Sequence, residues 1–168
     1  MLIYDVNQII RFIIEYDQSL AINLTTNFAE SDLCQKKLQM LLYYIQGHHL
    51  SQFSAPLFNE KIIAWKHGPV VETLYYDLKD CKANPIHEKI FNNPEKYTMP
   101  DISTAQSDFL ENVIYYYNRL SPWFLRDLTH DENNGVNPWS KTENGQEISH
   151  ELMQKYFAMP EFVNRILD

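Results

Sequence analysis

The histidines of this sequence are the side chains that could hold a metal ion or move a proton. The chain contains six of them. His67 and His130, with the carboxylate of Asp131, could ligate zinc, iron or manganese if the fold brought them together, because imidazole and carboxylate groups are ligands of these ions. Their spacing matches no zinc motif such as HExxH or paired CxxC, so we expect hydrogen-bonded or solvated histidines and no cofactor. A small metal- or anion-dependent hydrolase that uses these three residues is the enzymatic alternative.

Motifs for covalent catalysis and phosphate binding are missing from the sequence. Cys34 falls on an apolar helical stripe and is predicted to be a core residue, while Cys81 precedes Lys82 in a predicted loop without an evident base. There is no GxSxG motif, and four glycines are too few for a glycine-rich phosphate loop. We therefore expect a protein that is not an enzyme.

The most distinctive stretch is WKHGPVV, at residues 65–71. Gly68 and Pro69 are predicted to start a helix, as its N-cap and its first residue, because proline has no N–H to lose at that position. The N–H groups of the two valines would then be free at the helix end. Together with the Lys-His pair before the glycine, they could receive a carboxylate or a phosphate. The spacing alone favours the simpler role of fixing the direction of a core helix.

A second dense stretch is LTHDENNGVNPW, at residues 128–139. Its DENNG segment is rich in turn formers, and the proline that follows favours an extended backbone at the residue before it. Trp139 therefore follows a polar loop. We expect it to cover the core, and the alternative is an anchor for a partner, a role in which tryptophan is over-represented.

Hydrophobic periodicity predicts a mainly helical chain. The LLYY segment inside the second predicted helix is apolar on all sides, which places that helix at the centre of the domain. Asp5 and Ser31 are predicted to cap the first two helices. IIAW predicts a short strand, and breakers in the region from 81 to 103 leave room for at most another short strand at 87–91. The predicted helices span 6–16, 32–50, 69–80, 104–119 and 122–128. Ser149 is predicted to cap a further helix that ends at Phe157, and a last helix starts at residue 160.

The fold class that follows is mainly α, as a single compact helical domain of residues 1–168 with a central hydrophobic helix and one short β-hairpin. A chain of this length can hide roughly 70% of its unfolded surface, so a complete core is possible. Apolar stretches fall short of the roughly 20 residues that a membrane span requires. Two cysteines and no recognisable secretion signal lead us to expect a cytoplasmic protein.

The formal net charge of -8 disfavours general binding to nucleic acid, because phosphate backbones would be repelled. The same charge would steer association toward a basic partner. With aromatic residues at 14% of the chain, we expect an interface role for part of them.

Four blocks of the sequence together resemble the Panacea domain, also described as the SocA-like antitoxin or phage-associated GepA-like family. They are KLQMLLYYIQGHHL at 37–50, PLFNEKIIAWKHGPVVETLYYDLK at 56–79, LRDLTHDENNGVNPWS at 125–140 and GQEISHELMQKYF at 145–157. The resemblance implies a mostly helical antitoxin of bacterial or prophage toxin–antitoxin systems. It also implies neutralisation of a cognate protein toxin by direct binding, without catalysis.

Two functional hypotheses remain beside the enzymatic one. The first is the antitoxin, which covers the toxin's active site or delivers the toxin to a host protease. The second is a phage-encoded adaptor that binds a host protein without any toxin. For either, the predicted partner-binding residues are Trp65, Lys66, His67, Gly68, Pro69, Val70, His130, Asp131 and Trp139.

Overall fold

The structure, a computed structural model, is mainly helical and contains one two-stranded antiparallel hairpin, which confirms the predicted fold class. It describes residues 2–23, 31–130 and 137–164, with the side chains of 21–23 excepted. Every helix within these residues is too short or too polar to cross a bilayer. The elements, in chain order, are α1 (Val6–Asn23), α2 (Gln35–Phe53), β1 (Ile62–Trp65), β2 (Gly68–Val71), α3 (Glu72–Leu78), α4 (His87–Phe91), α5 (Thr104–Asn118), α6 (Pro122–His130), α7 (His150–Phe157) and α8 (Pro160–Val163).

Helix α2 lies at the centre of the fold, as predicted. Its residues are buried from 37 to 50, and it packs against α5, α6, α7 and strand β2. A helix that is apolar around its whole circumference is stable only when neighbours cover every side, and these four elements do so. Because α2 touches all four elements, its side chains can hold several of them in place.

Ser31 does not cap α2, and that prediction is wrong. The helix begins four residues later, at Gln35, after an extended Cys34. The Leu33 carbonyl accepts a hydrogen bond from the Ile86 amide (3.1 Å), and Cys34 forms an isolated bridge with Pro85. Because this pairing holds the backbone extended, the helix cannot start earlier.

The Gly-Pro pair does not start a helix either. Gly68 and Pro69 open strand β2, which pairs with β1 through a two-residue turn, and α3 starts only at Glu72. Pro69 lies opposite Ala64. The N–H and C=O of Ala64 both bond away from β2, to Gln146 and Gly145 at 2.9 and 2.7 Å. Pro69 therefore occupies a non-hydrogen-bonded position of the ladder, where its missing N–H leaves no partner unsatisfied.

Two glutamines of α2 hold the segments that follow it. The side-chain amide of Gln39 accepts from the Val71 amide (2.8 Å) and donates to the Val71 carbonyl (3.1 Å). Gln46 accepts from the Leu57 amide (2.8 Å) and donates to the Phe58 carbonyl (2.9 Å). Seven residues make nearly two full helical turns, so both amides project from one face of α2. They fasten the hairpin and the chain leading to it onto the central helix.

A buried polar cluster joins α1 to α4 and α5. The carboxylate of Asp17 accepts hydrogen bonds from His87 Nε2 (2.7 Å), from the Ser31 hydroxyl (3.0 Å) and from the side-chain amide of Asn118. Residues 87–91, predicted to form at most a short strand, are the helix α4. The helical backbone presents His87 to Asp17, and Ile90 to the core.

Other helix starts follow the sequence closely. The Asp5 carboxylate accepts from the Asn7 amide (2.7 Å) at the start of α1, and the Ser149 hydroxyl accepts from the Leu152 amide (3.2 Å) at the start of α7, as predicted for side-chain caps. Helix α1 continues past the predicted end at residue 16 to Asn23.

Candidate functional site

Trp139 is fastened to the hairpin. Its indole Nε1 donates a hydrogen bond to the Trp65 carbonyl oxygen at 2.9 Å, and its backbone amide donates to Oδ1 of Asn137 at 3.0 Å. The side-chain amide of Asn137 in turn donates to the Thr129 carbonyl at the end of α6. Trp139 is half-buried and packs against the core, in agreement with the predicted covering role. The segment after α6 is thus tied to both the helix and the hairpin.

The ring of His130 lies against Trp139, with the ring centroids 3.9 Å apart. Its Nδ1 is 2.7 Å from the carbonyl oxygen of Arg126, which can only accept, so Nδ1 carries the proton. Within the described residues no group of three histidine, cysteine or acidic side chains is arranged to hold a metal ion. Asp131, the third member of the hydrolase hypothesis, lies outside the described residues.

The tip of the hairpin presents three of the predicted residues. Lys66 and His67 form the exposed turn between the strands. Trp65 is half-buried; its ring meets Tyr75 edge to face, with centroids 4.8 Å apart, and its Nε1 donates to Glu72 at 3.2 Å. These contacts hold the Trp65 ring against α3, while Trp139 bonds the backbone carbonyl of Trp65.

The remaining predicted residues of WKHGPVV shape the hairpin. Gly68 has a φ of 130°, in the region that favours glycine, and a Cβ there would lie 3.1 Å from the terminal methyl of Met40. Gly68 and Pro69 are buried, whereas Val70 is partly exposed. The Val71 amide, predicted to be free at a helix end, donates to Gln39, and Val70 pairs with Ile63 in the hairpin. The predicted anion receptor of free helical N–H groups is therefore wrong, because a strand occupies its place.

A pocket of about 570 Å³ lies between the hairpin and the first turns of α2, within the range of sites that accept small molecules or side chains. Of the predicted residues, Trp65, Lys66, His67 and Val70 line it. His130 and Trp139 do not, although Trp139 lines a smaller neighbouring pocket together with Trp65 and Lys66. The hairpin tip thus separates two concavities. The other residues that line the larger pocket are Gln35, Lys36, Gln39, Met40, Tyr75, Asn144 and Gly145.

Lys36 is the pocket residue that sequence reasoning missed most clearly. In the sequence it falls off the apolar stripe of the predicted central helix, on its polar side. Its ammonium group lies 3.8 Å from the centroid of the Trp123 ring, in a cation–π contact. Burial and the nearby charge of Arg126 lower the pKa of Lys36, while Cys34 and Asp127 act in the opposite direction. Asn144 was missed because it comes from a segment distant in sequence, and Tyr75 because a tyrosine on a predicted helix gives no local sign that it faces a pocket.

A family model described as antitoxin SocA-like, Panacea domain, matches residues 38–135, more than half of the chain. The chain belongs to this family. The matched span of the SocA-like domain runs from the first turns of α2 through the hairpin to the end of α6, so it includes the hairpin tip and His130. Trp139 and α7 lie beyond it in sequence. Neither a curated protein nor a solved structure matches the chain significantly.

Proposed function

We propose that this protein is the antitoxin of a bacterial or prophage toxin–antitoxin system, and that it neutralises a cognate toxin in the cytoplasm by binding it directly, without catalysis. Membership of the SocA-like antitoxin family is the observation that carries the proposal. A role as the antitoxin partner requires a surface that another protein can cover.

The hairpin face supports such a surface. Half-buried Trp65 and exposed Lys66 stand between two pockets, and a tryptophan at such a place contributes strongly when an interface excludes water from it. Large hydrophobic side chains nearby are also exposed, at 65% for Trp123 and 61% for Tyr76. Aromatic side chains such as these are enriched in protein interfaces, so both rings are available to a partner.

We also propose that residues 1–168 act as one domain, including the part beyond the family match. Helix α7 packs along the central helix α2. The Ile148 amide donates to the Ile62 carbonyl at 2.8 Å, and so extends the hairpin by a third backbone segment. Cutting the chain after residue 135 would expose the core of α2 and remove these bonds.

Co-expression with the protein encoded beside this chain tests the proposed function. We expect the neighbour to arrest growth when expressed alone, and to lose that effect when this protein is present. Tagged protein should then capture the neighbour in a pull-down. A version of the gene with an early stop codon is the control, since it leaves the transcript in place. A neighbour that is harmless alone, or equally toxic with and without this protein, contradicts the proposal.

A second experiment separates occlusion from delivery to a protease. The neighbour's activity is measured with purified components and no protease. Inhibition under these conditions indicates that binding alone covers the active site, whereas capture without inhibition indicates that the bound toxin is removed by proteolysis in the cell.

A further inference from the structure

The larger pocket differs in charge from the rest of the protein. The chain as a whole carries a net charge of -8. Among the described residues that line the pocket, the charged or chargeable side chains are Lys36, Lys66 and His67, and none is acidic. A concave site lined by one sign of charge attracts a ligand of the opposite sign.

The two lysines are available to a ligand. Within the described part of the chain, neither Lys36 nor Lys66 forms an ion pair with an acidic side chain. The Lys36 ammonium rests on the exposed Trp123 ring, and Lys66 lies at the exposed hairpin turn. Asp127 is near enough to act on Lys36, but its influence is smaller than that of burial and Arg126. Among the residues that the structure describes, no acidic side chain lines the pocket or pairs with its two lysines, so the pocket keeps its positive charge.

Apart from the amide side chains of Gln35, Gln39 and Asn144, the rest of the lining is apolar and aromatic. Met40 is almost fully buried below the pocket, at 2% exposure, and its sulfur lies 4.0 Å from the hydroxyl oxygen of Thr129. Trp65 and Tyr75 form a wall in which the two rings meet edge to face. A methionine floor adapts to the shape of an inserted side chain, and an aromatic wall contributes area at low entropic cost.

We propose that this pocket receives an acidic segment of the antitoxin's protein partner: an apolar or aromatic side chain enters between Met40, Trp65 and Tyr75, and an adjacent carboxylate pairs with Lys36 and Lys66. The inference rests on the proposed function and adds the binding site and the chemistry of the segment bound. A carboxylate pairs with a lysine at short range, where charge pairs across an interface are strongest. A long polyanion such as nucleic acid would in addition face the repulsion of the whole acidic protein.

The first test uses a peptide probe and does not require that the toxin be known. The indole N–H resonance of Trp65 is followed by NMR while the full-length protein is titrated with acetyl-Asp-Trp-amide or with acetyl-Asn-Trp-amide, which differ only in the carboxylate. The chain has three tryptophans, so each indole signal can be assigned with a Trp→Phe variant. We expect the Asp peptide to shift the Trp65 signal at least about threefold more than the Asn peptide at equal concentration, because only the former can pair with the lysines.

Matched variants place the response in the pocket. Lys66→Glu should abolish the difference between the peptides. Lys82→Glu makes the same change in net charge at an exposed position outside the pocket, and should leave the difference intact. Equal shifts with both peptides, no shift with either, or equal losses in the two variants would overturn the proposed site.

The second test uses the partner found by co-expression. Lys66→Glu should weaken its binding by about tenfold or more, which corresponds to roughly 1.4 kcal/mol or more, while Lys82→Glu stays near the wild-type affinity. Changing the matching acidic residue of the partner to lysine should restore binding to Lys66→Glu. If the wild-type protein neutralises its partner and both variants do so equally, the pocket assignment fails while the antitoxin function stands. If the wild-type protein neutralises no neighbour, the function fails, and the peptide titration still decides whether the pocket binds a carboxylate.

Discussion

The indole Nε1 of Trp139 and the carbonyl oxygen of Trp65 are joined by a 2.9 Å hydrogen bond across 74 positions of sequence. This bond ties the segment after α6 to the hairpin that carries the larger pocket. It also gives Trp139 a structural role that reaches beyond covering the core, because the carbonyl it satisfies belongs to the pocket-lining residue Trp65.

Trp139→Phe should lower the free energy of unfolding by about 1 kcal/mol, because it keeps most of the ring but removes the donor to Trp65. Urea denaturation followed by circular dichroism measures the change. Trp123→Phe is the matched control, since Trp123 is 65% exposed and should change stability by no more than about 0.5 kcal/mol. Equal midpoints for the two variants would show that the bond to Trp65 contributes nothing.

Gln39→Leu should destabilise the protein by about 2 to 6 kcal/mol, because both the N–H and the C=O of buried Val71 lose their partner, at about 1 to 3 kcal/mol for each unsatisfied group. Thermal and urea unfolding measure it. Gln52→Leu makes the same change at an exposed position of the same helix and should be nearly neutral. A loss for Gln39→Leu no larger than that control would contradict the clamp between α2 and β2.

The two wrong predictions around the hairpin have a common physical cause. The sequence GPVV is typical of a helix start. It forms a strand here opposite Ala64, whose N–H and C=O bond to residues 145 and 146 and therefore need no partner on Pro69. That pairing is some 80 positions away and leaves no trace in a local window. Gln39 likewise reads as a polar surface residue, although it is buried against the backbone of Val71.

Long-range backbone pairing also separates what could be predicted of the site from what could not. The central helix, strand β1 and most helix boundaries follow from periodicity and caps, which are local signals. Trp65 and Lys66 at the hairpin tip line the larger pocket. Their role in binding a partner remains a prediction. The opposite side of that pocket comes from α2, which contributes Lys36, so the basic character of the pocket emerges only after folding. Arg126, which acts on Lys36, comes from yet another helix.

Gly47→Ala should destabilise the protein by about 1 to 3 kcal/mol through overpacking, although alanine is the better helix former by about 1 kcal/mol. A Cβ at residue 47 would overlap the fully buried ring of Phe157 on α7. The urea midpoint measures the change. The double variant Gly47→Ala/Phe157→Leu should lose less than the sum of the two single variants, because the smaller side chain makes room for the added methyl group. A stabilised single variant would contradict the close approach of α2 and α7.

Stability should fall as the pH is lowered below about 6.5. The reason is His49, whose pKa is lowered by burial from its ordinary value of 6.5. A hydrogen bond to the Ala55 carbonyl offsets part of that effect. A folded-state pKa below the unfolded one means that the unfolded chain takes up the proton first, so His49 contributes stability above pH 6.5 that acidification removes. His49→Gln should flatten this slope, and exposed His67→Gln should leave it unchanged. Identical slopes for the wild-type protein and His49→Gln would refute the assignment.

A further loss is expected at lower pH from the buried cluster around Asp17. Burial raises the pKa of this carboxyl, but hydrogen bonds from His87, Asn118 and Ser31, together with the charge of His87, outweigh burial and hold the pKa below its ordinary 3.8. As for His49, the folded-state pKa lies below the unfolded one. Asp17 therefore stabilises the protein above pH 3.8, and this contribution is lost as the pH falls through the folded-state pKa. Asp17→Asn should remove this part of the acid transition.

The most direct measurement of the central claim is a titration of the purified toxic neighbour with this purified protein, with the neighbour's own activity as the readout and no protease present. Direct neutralisation by occlusion predicts that activity falls linearly to a floor at a fixed molar ratio, and that the two proteins elute together from a gel-filtration column. Full toxin activity at a large molar excess, with the two proteins eluting separately, would contradict the account.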